Sequence, residues 1–151
     1  MLDEFIDHEG GTPEVIQFSG GEPTIHPNIL EMINLARQKN IKYVMLNTNG
    51  VKISMDESFV SKLAKLNPVV YLQFDGFRKE THERLRGEDL REIKFKAIEN
   101  LENYGIRIVL VSTVQRDVNE DEIGSLVDFA LLKKSIKGIV FPANLLLRKT
   151  S

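Results

Sequence analysis

The 151-residue sequence contains no cysteine. Disulfide bonds and thiolate metal sites are therefore excluded from this chain, and the absence is compatible with a cytoplasmic protein. Long hydrophobic runs are also missing, because an apolar stretch such as residues 139–147 is too short to span a bilayer. No membrane span is predicted, and the acidic beginning, MLDEFIDHEG, does not have the pattern of a signal peptide.

The sequence has no excess of positive charge. The formal net charge is -2 and the isoelectric point is near 6.0. Nothing in this balance suggests the basic field that binds nucleic acid. Hydrophobic residues make up 42% and charged residues 28% of the chain, which is typical of one globular domain with a real core.

Short apolar runs alternate along the chain with longer segments of helical periodicity. Repeated strand–helix units with short connections predict an α/β fold with a parallel sheet and right-handed crossovers. We predict strands at residues 15–19, 43–47, 69–74, 106–114 and 137–141, and helices at residues 28–39, 56–66, 79–86, 89–104 and 119–134, the last capped by Asn119.

Polar side chains follow four of the predicted strands at their carboxyl ends. Ligands bind at this face in parallel α/β sheets, and the amino ends carry no comparable set. We therefore expect a ligand site there. The residues are Ser19, Gly20, Gly21 and Glu22; Asn47, Thr48, Asn49 and Gly50; Gln73, Asp75 and Gly76; and Ser112, Thr113, Gln115 and Arg116.

The first of these strand ends has the sequence QFSGGEPTIHP, residues 17–27. Its glycines could form a plain tight turn, or they could let a ligand approach the main chain. Glu22 offers a carboxylate that suits an ammonium group and would repel a phosphate. The G-x-G-x-x-G dinucleotide pattern is absent. An amino-acid ammonium is therefore the favoured ligand group.

Residues 19–24, SGGEPT, followed by His26, Pro27 and a predicted helix, resemble the GGEP segment of radical S-adenosylmethionine (SAM) enzymes. LNTNG, residues 46–50, is similar to the next strand of that family. The resemblance implies a partial (β/α) barrel of parallel strands, corresponding to strands 2–6 of a (β/α)6 three-quarter barrel. Residues 1–151 would then form a single, truncated radical SAM core domain.

The resemblance also implies a role for each polar strand end. The GGEP segment would hold the methionine moiety of SAM, and the later strand ends would lie near its ribose and adenosine. The implied cofactor-binding residues are Gly20, Gly21, Glu22 and Pro23 for the methionine moiety, Asn49 near cofactor or substrate, Gln73 and Asp75 for the ribose, Ser112 and Thr113 near the adenosine, and Arg116 for the SAM carboxylate or a substrate anion.

Alternative explanations exist for some of these residues. Gln73 and Thr113 could be internally satisfied polar side chains, and Arg116 could form a surface ion pair with Asp117 or Glu120. Each alternative leaves the GGEP assignment unchanged.

The CxxxCxxC motif, whose thiolates hold the [4Fe–4S] cluster in this family, is missing from the chain. His26 is predicted at the helix entry and His8 and His82 in solvent, so the histidines do not replace it. We expect the motif upstream in a full-length enzyme, with residues 2–10 as the end of the first barrel helix. The chain alone is then expected to be inactive.

In the full-length form, the resemblance implies reductive cleavage of SAM with an external electron donor. Residues 71–90 resemble archaeal tetraether lipid synthases and radical SAM methyltransferases that act on pterin precursors. This favours methyl transfer or C–C bond formation on a small-molecule or lipid substrate. Residues 84–87, RLRG, could contact an anionic substrate group or form a solvated helix end.

Two other classes remain as alternatives. The chain could be a non-catalytic nucleoside-binding module with a degenerate barrel and no cluster. An ordinary (β/α) aldolase or isomerase would need a Schiff-base lysine or a set of metal ligands at the strand ends, and the strand interiors offer no such lysine. If the chain is a truncated barrel, the strand at residues 15–19 is predicted to be a sheet edge, through which the chain could self-associate.

Overall fold

The computed structural model describes residues 13–142. They form one five-stranded sheet in which the strands lie side by side in chain order and every neighbouring pair is parallel. The strands are β1 (Val15–Phe18), β2 (Tyr43–Thr48), β3 (Val69–Gln73), β4 (Arg107–Val111) and β5 (Ile136–Val140). The predicted α/β partial barrel is confirmed, because this order is the one that successive crossovers around a barrel produce.

Helices connect successive strands. They are α1 (Ile29–Gln38), α2 (Val51–Met55), α3 (Glu57–Leu66), α4 (Lys79–Arg86), α5 (Arg91–Asn103) and α6 (Ile123–Leu132), with 3-10 turns at Pro23–Ile25 and Glu120–Glu122. All but α4 bury apolar side chains; the buried residues of α4 are Thr81 and His82. The short helix α2 was not predicted. It precedes Asp56, whose Oδ1 accepts a hydrogen bond from Phe59 N at 2.9 Å and so caps α3.

The core lies between the sheet and the helices. Inward side chains of β2, β3 and β4 are fully buried, and each contributes on the order of 2 kcal/mol by burial. This packing fixes the carboxyl ends of the strands relative to one another. The fully buried strand residues are Val44, Leu46, Val70, Leu72, Ile108 and Leu110.

Asn119 stands at the N-cap position of the 3-10 turn that leads into α6, as predicted, but its side chain makes no capping hydrogen bond. Its side chain is fully buried and bonds to the loop after β4 and to the end of β3. Nδ2 donates to the carbonyl oxygens of Asp75 and Thr113, both at 2.8 Å, and Oδ1 accepts from Gln115 N at 2.8 Å. The side chain therefore holds the loop after β4 against the chain that follows β3, and α6 begins at Ile123 after a 3-10 turn.

Within residues 13–142, β1 pairs on one side with β2 and has no second neighbour. The exposed fraction of Val15 is 49%. The predicted edge position of this strand is therefore confirmed. In the same part of the chain, none of the helices has the length and apolar character needed to cross a membrane.

Candidate cofactor site

A cavity of about 460 Å³ opens at the carboxyl ends of β1 to β4. The strand order places these ends next to one another, so side chains far apart in sequence share one wall. Six of the predicted site residues line it: Gly20, Gly21, Glu22, Asn49, Gln73 and Thr113. The other lining residues are Ser19, Asn47, Thr48, Tyr71, Arg86 and Val111.

The glycine pair presents open main chain to this cavity. Gly20 and Gly21 have φ of 89° and 54°, in the left-handed region that favours glycine. A Cβ atom at either position would meet nothing within 4 Å. The main chain at both glycines therefore has open space beside it, which a ligand could enter. Pro23 follows as the first residue of a 3-10 turn, which fixes the exit of the loop.

The Glu22 carboxylate ties the glycine loop to the end of β2. Its Oε1 accepts hydrogen bonds from Thr24 N at 3.2 Å and Thr24 Oγ1 at 2.6 Å. Thr48 Oγ1 also donates to Oε1 at 2.6 Å, and Asn49 N donates to Oε2 at 2.7 Å. Three of the four bonds go to Oε1 and one to Oε2, so Oε2 keeps an acceptor position. Glu22 therefore orders the loop and leaves its negative charge beside the glycine carbonyls.

Asn49 and Gly50 turn the chain from β2 into α2. Asn49 Oδ1 accepts from Val51 N at 3.0 Å, which satisfies an otherwise unpaired donor at the helix start. Gly50 has a φ of 85°, and a Cβ atom there would lie 2.7 Å from Leu72 Cδ1. The turn is thus pressed against β3, and only glycine fits at its second position.

Asp75 lies behind the cavity wall and holds Arg86. The Asp75 side chain is fully buried, and Arg86 Nε and Nη2 donate to its two oxygens at 2.8 and 3.2 Å. Thr113 N also donates to Asp75 Oδ1 at 2.9 Å, and Arg86 Nη2 reaches Thr113 Oγ1 at 3.1 Å. The Arg86 side chain is 26% exposed and lines the cavity, so its positive charge faces that space. The carboxylate itself is turned away from a ligand.

Arg86 is therefore a cavity residue and not a solvated helix end. It is the last residue of α4, which ends at Gly87 in a left-handed conformation. RLRG was predicted to contact an anionic group or to form a solvated helix end, and the cavity that Arg86 shares with the glycine loop was not predicted. No local pattern in the sequence indicates that residues 22 and 86 line the same cavity.

Lys94 lies under the same cavity, and the sequence analysis did not find it. Its Nζ donates to the Asn49 carbonyl oxygen and, at 3.3 Å, to Gln73 Oε1. Burial lowers the pKa of Lys94 from 10.5 to about 8; the Asp75 and Glu22 carboxylates raise it and Arg86 lowers it further. The search for a lysine in the strands missed it because Lys94 belongs to α5. The sequence pattern that could have indicated its burial is helical spacing, because Lys94 lies on the same buried face of α5 as Ala97, Ile98 and Leu101.

Besides Pro23 and Asp75, two more predicted site residues do not line the cavity. Ser112 is fully buried, with Oγ 3.5 Å from the Asp75 carbonyl oxygen. Arg116 is exposed and is not among the residues that line the cavity. The structure therefore brings the GGEP loop together with Asn49, Gln73 and Thr113, while Asp75, Ser112 and Arg116 are placed outside that surface.

The prediction that His82 is solvated is wrong. Its side chain is fully buried, and Nε2 lies 2.8 Å from the Gly76 carbonyl oxygen. His26 stands at the helix entry as predicted, where Nδ1 accepts from Asn28 N at 3.1 Å. His8 lies outside the described residues. Among residues 13–142, no group of three His, Asp or Glu side chains could hold a metal ion.

Residues 1–130 match the family model of the radical SAM superfamily. The chain belongs to this superfamily. Over 117 residues it is 40% identical to 7,8-dihydro-6-hydroxymethylpterin dimethyltransferase of Methanocaldococcus jannaschii, with 76% of this chain and 23% of that enzyme covered. It is 31% identical over 118 residues to the mycofactocin maturase MftC of Mycobacterium ulcerans, with 78% of this chain and 30% of the maturase covered.

A solved structure of native anSMEcpe with bound AdoMet (SAM) also matches this radical SAM chain. The TM-score is 0.69 at 25% identity, with 93% of this chain and 40% of that chain covered. The chain thus spans less than half the length of each of these three relatives. Superfamily members are enzymes that use SAM and a [4Fe–4S] cluster.

The residues present fit SAM but not the cluster. The cavity has the size of a small-molecule site. Open glycine carbonyls beside Glu22 suit an ammonium group, and Arg86 in the same cavity suits a carboxylate. In contrast, a [4Fe–4S] cluster is held by cysteine thiolates, and the 151 residues contain none.

Proposed function

We propose that the cavity at the carboxyl ends of β1 to β4 is a SAM seat and that this chain is the cofactor-binding part of a radical SAM core domain. One observation carries the proposal: the open glycine loop, ordered by Glu22, lies in the same cavity as the guanidinium of Arg86. Opposite charges on its two sides match the ammonium and carboxylate of an amino acid.

Different residues of the chain would contact different parts of SAM. Carbonyl oxygens of Gly20 and Gly21 would accept from the ammonium, and Glu22 would add charge complementarity. Arg86, held rigidly by Asp75, would donate to the carboxylate, the role that the resemblance had suggested for Arg116. Asn49, Gln73 and Thr113 would face the nucleoside part, with Ser112 behind them.

The reaction of the whole enzyme is the finer part of the proposal. When bound at a reduced cluster, SAM supplies a 5′-deoxyadenosyl radical, and the thiolates for that cluster would come from outside these 151 residues. An external donor would supply the electron. The 40% identity to a dihydropterin dimethyltransferase supports methyl transfer on a pterin precursor. C–C bond formation on a lipid precursor stays a prediction. A cytoplasmic location and inactivity of the chain alone stay predictions.

A nucleoside-binding module without a cluster is the second candidate, favoured by the absence of cysteine. The two candidates differ in the polypeptide outside this chain. Reconstitution of the full-length protein with iron and sulfide separates them. Formation of 5′-deoxyadenosine from SAM after reduction supports the enzyme, and a full-length protein that binds SAM but takes up no cluster supports the module.

The seat itself is tested by the affinity of this chain for SAM, measured by isothermal titration calorimetry. We expect Arg86→Gln to weaken binding about tenfold or more, because a charge-assisted contact of about 1.5–3 kcal/mol is lost. Arg107→Gln is the matched control, since Arg107 begins β4 at the opposite end of the sheet. A loss of affinity in Arg116→Gln instead of Arg86→Gln would overturn the assignment.

A further inference from the structure

Part of the cavity wall is not used by the proposed SAM contacts. Asn47 and Tyr71 line this part, and they are register partners on β2 and β3. We call these two side chains the cavity floor. Asn47 precedes Asn49 by two positions and Tyr71 precedes Gln73 by two, and two residues of a strand span about 6–7 Å. The floor therefore lies deeper between the strands than the proposed nucleoside contacts.

The cavity floor has hydrogen-bonding groups that the chain does not use. Gln17 Nε2 donates to Asn47 Oδ1 at 3.0 Å, and the other amide atom of Asn47 has no partner in the described part of the chain. The Tyr71 hydroxyl likewise has no partner among residues 13–142. A hydroxyl group donates or accepts as its neighbour requires. Amide and hydroxyl together therefore supply one donor and one acceptor, whichever way the Asn47 amide is oriented.

The cavity floor carries no charge. The charged residues that line the cavity are Glu22 and Arg86, and both are held by the hydrogen bonds described above. Val111 adds an apolar side chain to the same wall. An ionic group at the floor would lose part of its hydration without gaining an opposite charge, which is unfavourable. An uncharged ring with a donor beside an acceptor on its edge matches the floor.

We propose that the cavity floor is the subsite for the substrate other than SAM, where Asn47 and Tyr71 bind the lactam edge of an uncharged nitrogen heterocycle of the pterin type. A lactam has an N–H donor beside a carbonyl acceptor, which the amide and the hydroxyl complement. Gln17 is a positioning residue, because it holds the Asn47 amide. The role as substrate subsite rests on the proposed function, whereas binding of the heterocycle does not.

The subsite is tested on the 151-residue chain with two fluorescent probes, pterin and 3-methylpterin. The second probe has a methyl group in place of the lactam hydrogen. We expect the wild type to bind pterin about fivefold or more tightly than 3-methylpterin, because the methylated ring lacks the donor. Fluorescence titration measures both dissociation constants. Equal binding of the two probes, or no binding of either, overturns the subsite and leaves the SAM seat standing.

Variants assign the preference for pterin to the cavity floor. We expect Asn47→Leu and Tyr71→Phe each to bring the two dissociation constants within about twofold, because each removes one polar group that the lactam edge needs. Asn34→Leu, at an exposed position of α1, is the matched control and should keep the preference. A preference that survives in both floor variants overturns the assignment.

SAM affinity of the same variants separates the subsite from the SAM seat. We expect Asn47→Leu and Tyr71→Phe to bind SAM as the wild type does, and Arg86→Gln to keep the preference for pterin. A loss of SAM affinity in Asn47→Leu with an unchanged preference for pterin would assign the floor to the adenine of SAM and overturn the proposal. A wild type that prefers pterin but binds no SAM would overturn the proposed function and leave the heterocycle site standing.

Discussion

Glu22 contributes to the shape of the glycine loop as well as to its charge. Its carboxylate accepts from Thr24, Thr48 and Asn49 and so joins β1 to β2 across the mouth of the cavity. An amide in its place would point a donor at groups that are themselves donors. The loop therefore depends on an ionised acidic side chain at this position.

We expect Glu22→Gln to lower the free energy of unfolding by about 1–3 kcal/mol, because the amide NH2 must replace one carboxylate oxygen and at least the Asn49 N–H then loses its acceptor and faces a donor. Urea denaturation measures the change. The matched control is Glu31→Gln on the exposed face of α1, which should stay within about 0.5 kcal/mol of wild type. Equal stability of the two variants would mean that the Glu22 bonds do not hold the loop.

Lys94 gives the folded chain a distinctive pH dependence. Its pKa is about 8 in the folded chain against an ordinary 10.5, so the unfolded chain binds more protons between these values. Burial of the charged Lys94 side chain lowers the free energy of unfolding. This loss is complete below pH 8 and disappears as the pH rises towards 10.5.

We expect the free energy of unfolding of the wild type, relative to Lys94→Met, to rise by about 2 kcal/mol from pH 7.5 to pH 10. Urea titrations of both proteins at matched pH measure it. Lys96→Met, also on α5, should show no such pH-dependent difference. A flat difference for Lys94→Met would place the folded pKa of Lys94 near its ordinary value.

At the scale of elements, the turn from β2 to α2 is restricted both by its backbone conformation and by close packing. Gly50 has a φ of 85°, and a Cβ atom there would lie 2.7 Å from Leu72 Cδ1 and 3.2 Å from Ala97 Cβ. Both neighbours belong to the core, so neither strand nor helix can move away without losing contacts.

We expect Gly50→Ala to lower the free energy of unfolding by about 2–4 kcal/mol, through torsional strain and overpacking together. Gly124→Ala is the control, because its Cβ would meet nothing within 4 Å and it lies inside α6. That change should stabilise the chain by about 0.5–1 kcal/mol. Thermal or urea unfolding of the pair distinguishes the two effects, and similar values would contradict the close approach.

At the scale of the whole molecule, the sheet has an edge beside the proposed seat. Within the described residues β1 has one neighbour, and its unpaired N–H and C=O groups face outward with Val15 half exposed. Such an edge can pair with another chain.

We expect the 151-residue chain to self-associate with rising concentration and Val15→Lys to reduce the association, since a charge on the edge disfavours strand pairing. Light scattering across a concentration series measures both. Lys at an exposed position far from the edge, as in Ser125→Lys on α6, is the control. A wild-type chain that stays monomeric at high concentration would contradict the expectation.

The sequence by itself determined the strand–helix order and the glycine-rich loop. Hydrophobic periodicity is local, so all five strands were placed within a few residues. The GGEP segment was found for the same reason, since a ligand loop of consecutive residues keeps its pattern in one short stretch.

Only the tertiary structure decided which side chains serve the cavity. Arg86 reaches it because Asp75, eleven positions earlier, holds its guanidinium, and Lys94 reaches it from a helix. Glu122 likewise accepts from the N–H groups of Phe77 and Arg78 at the start of α4, a cap supplied across more than forty residues. For the same reason His82 was misplaced, and the side chain of Asn119 bonds elsewhere and does not cap a helix. A polar side chain is buried or exposed according to partners that folding brings from distant segments, and no local pattern records those partners.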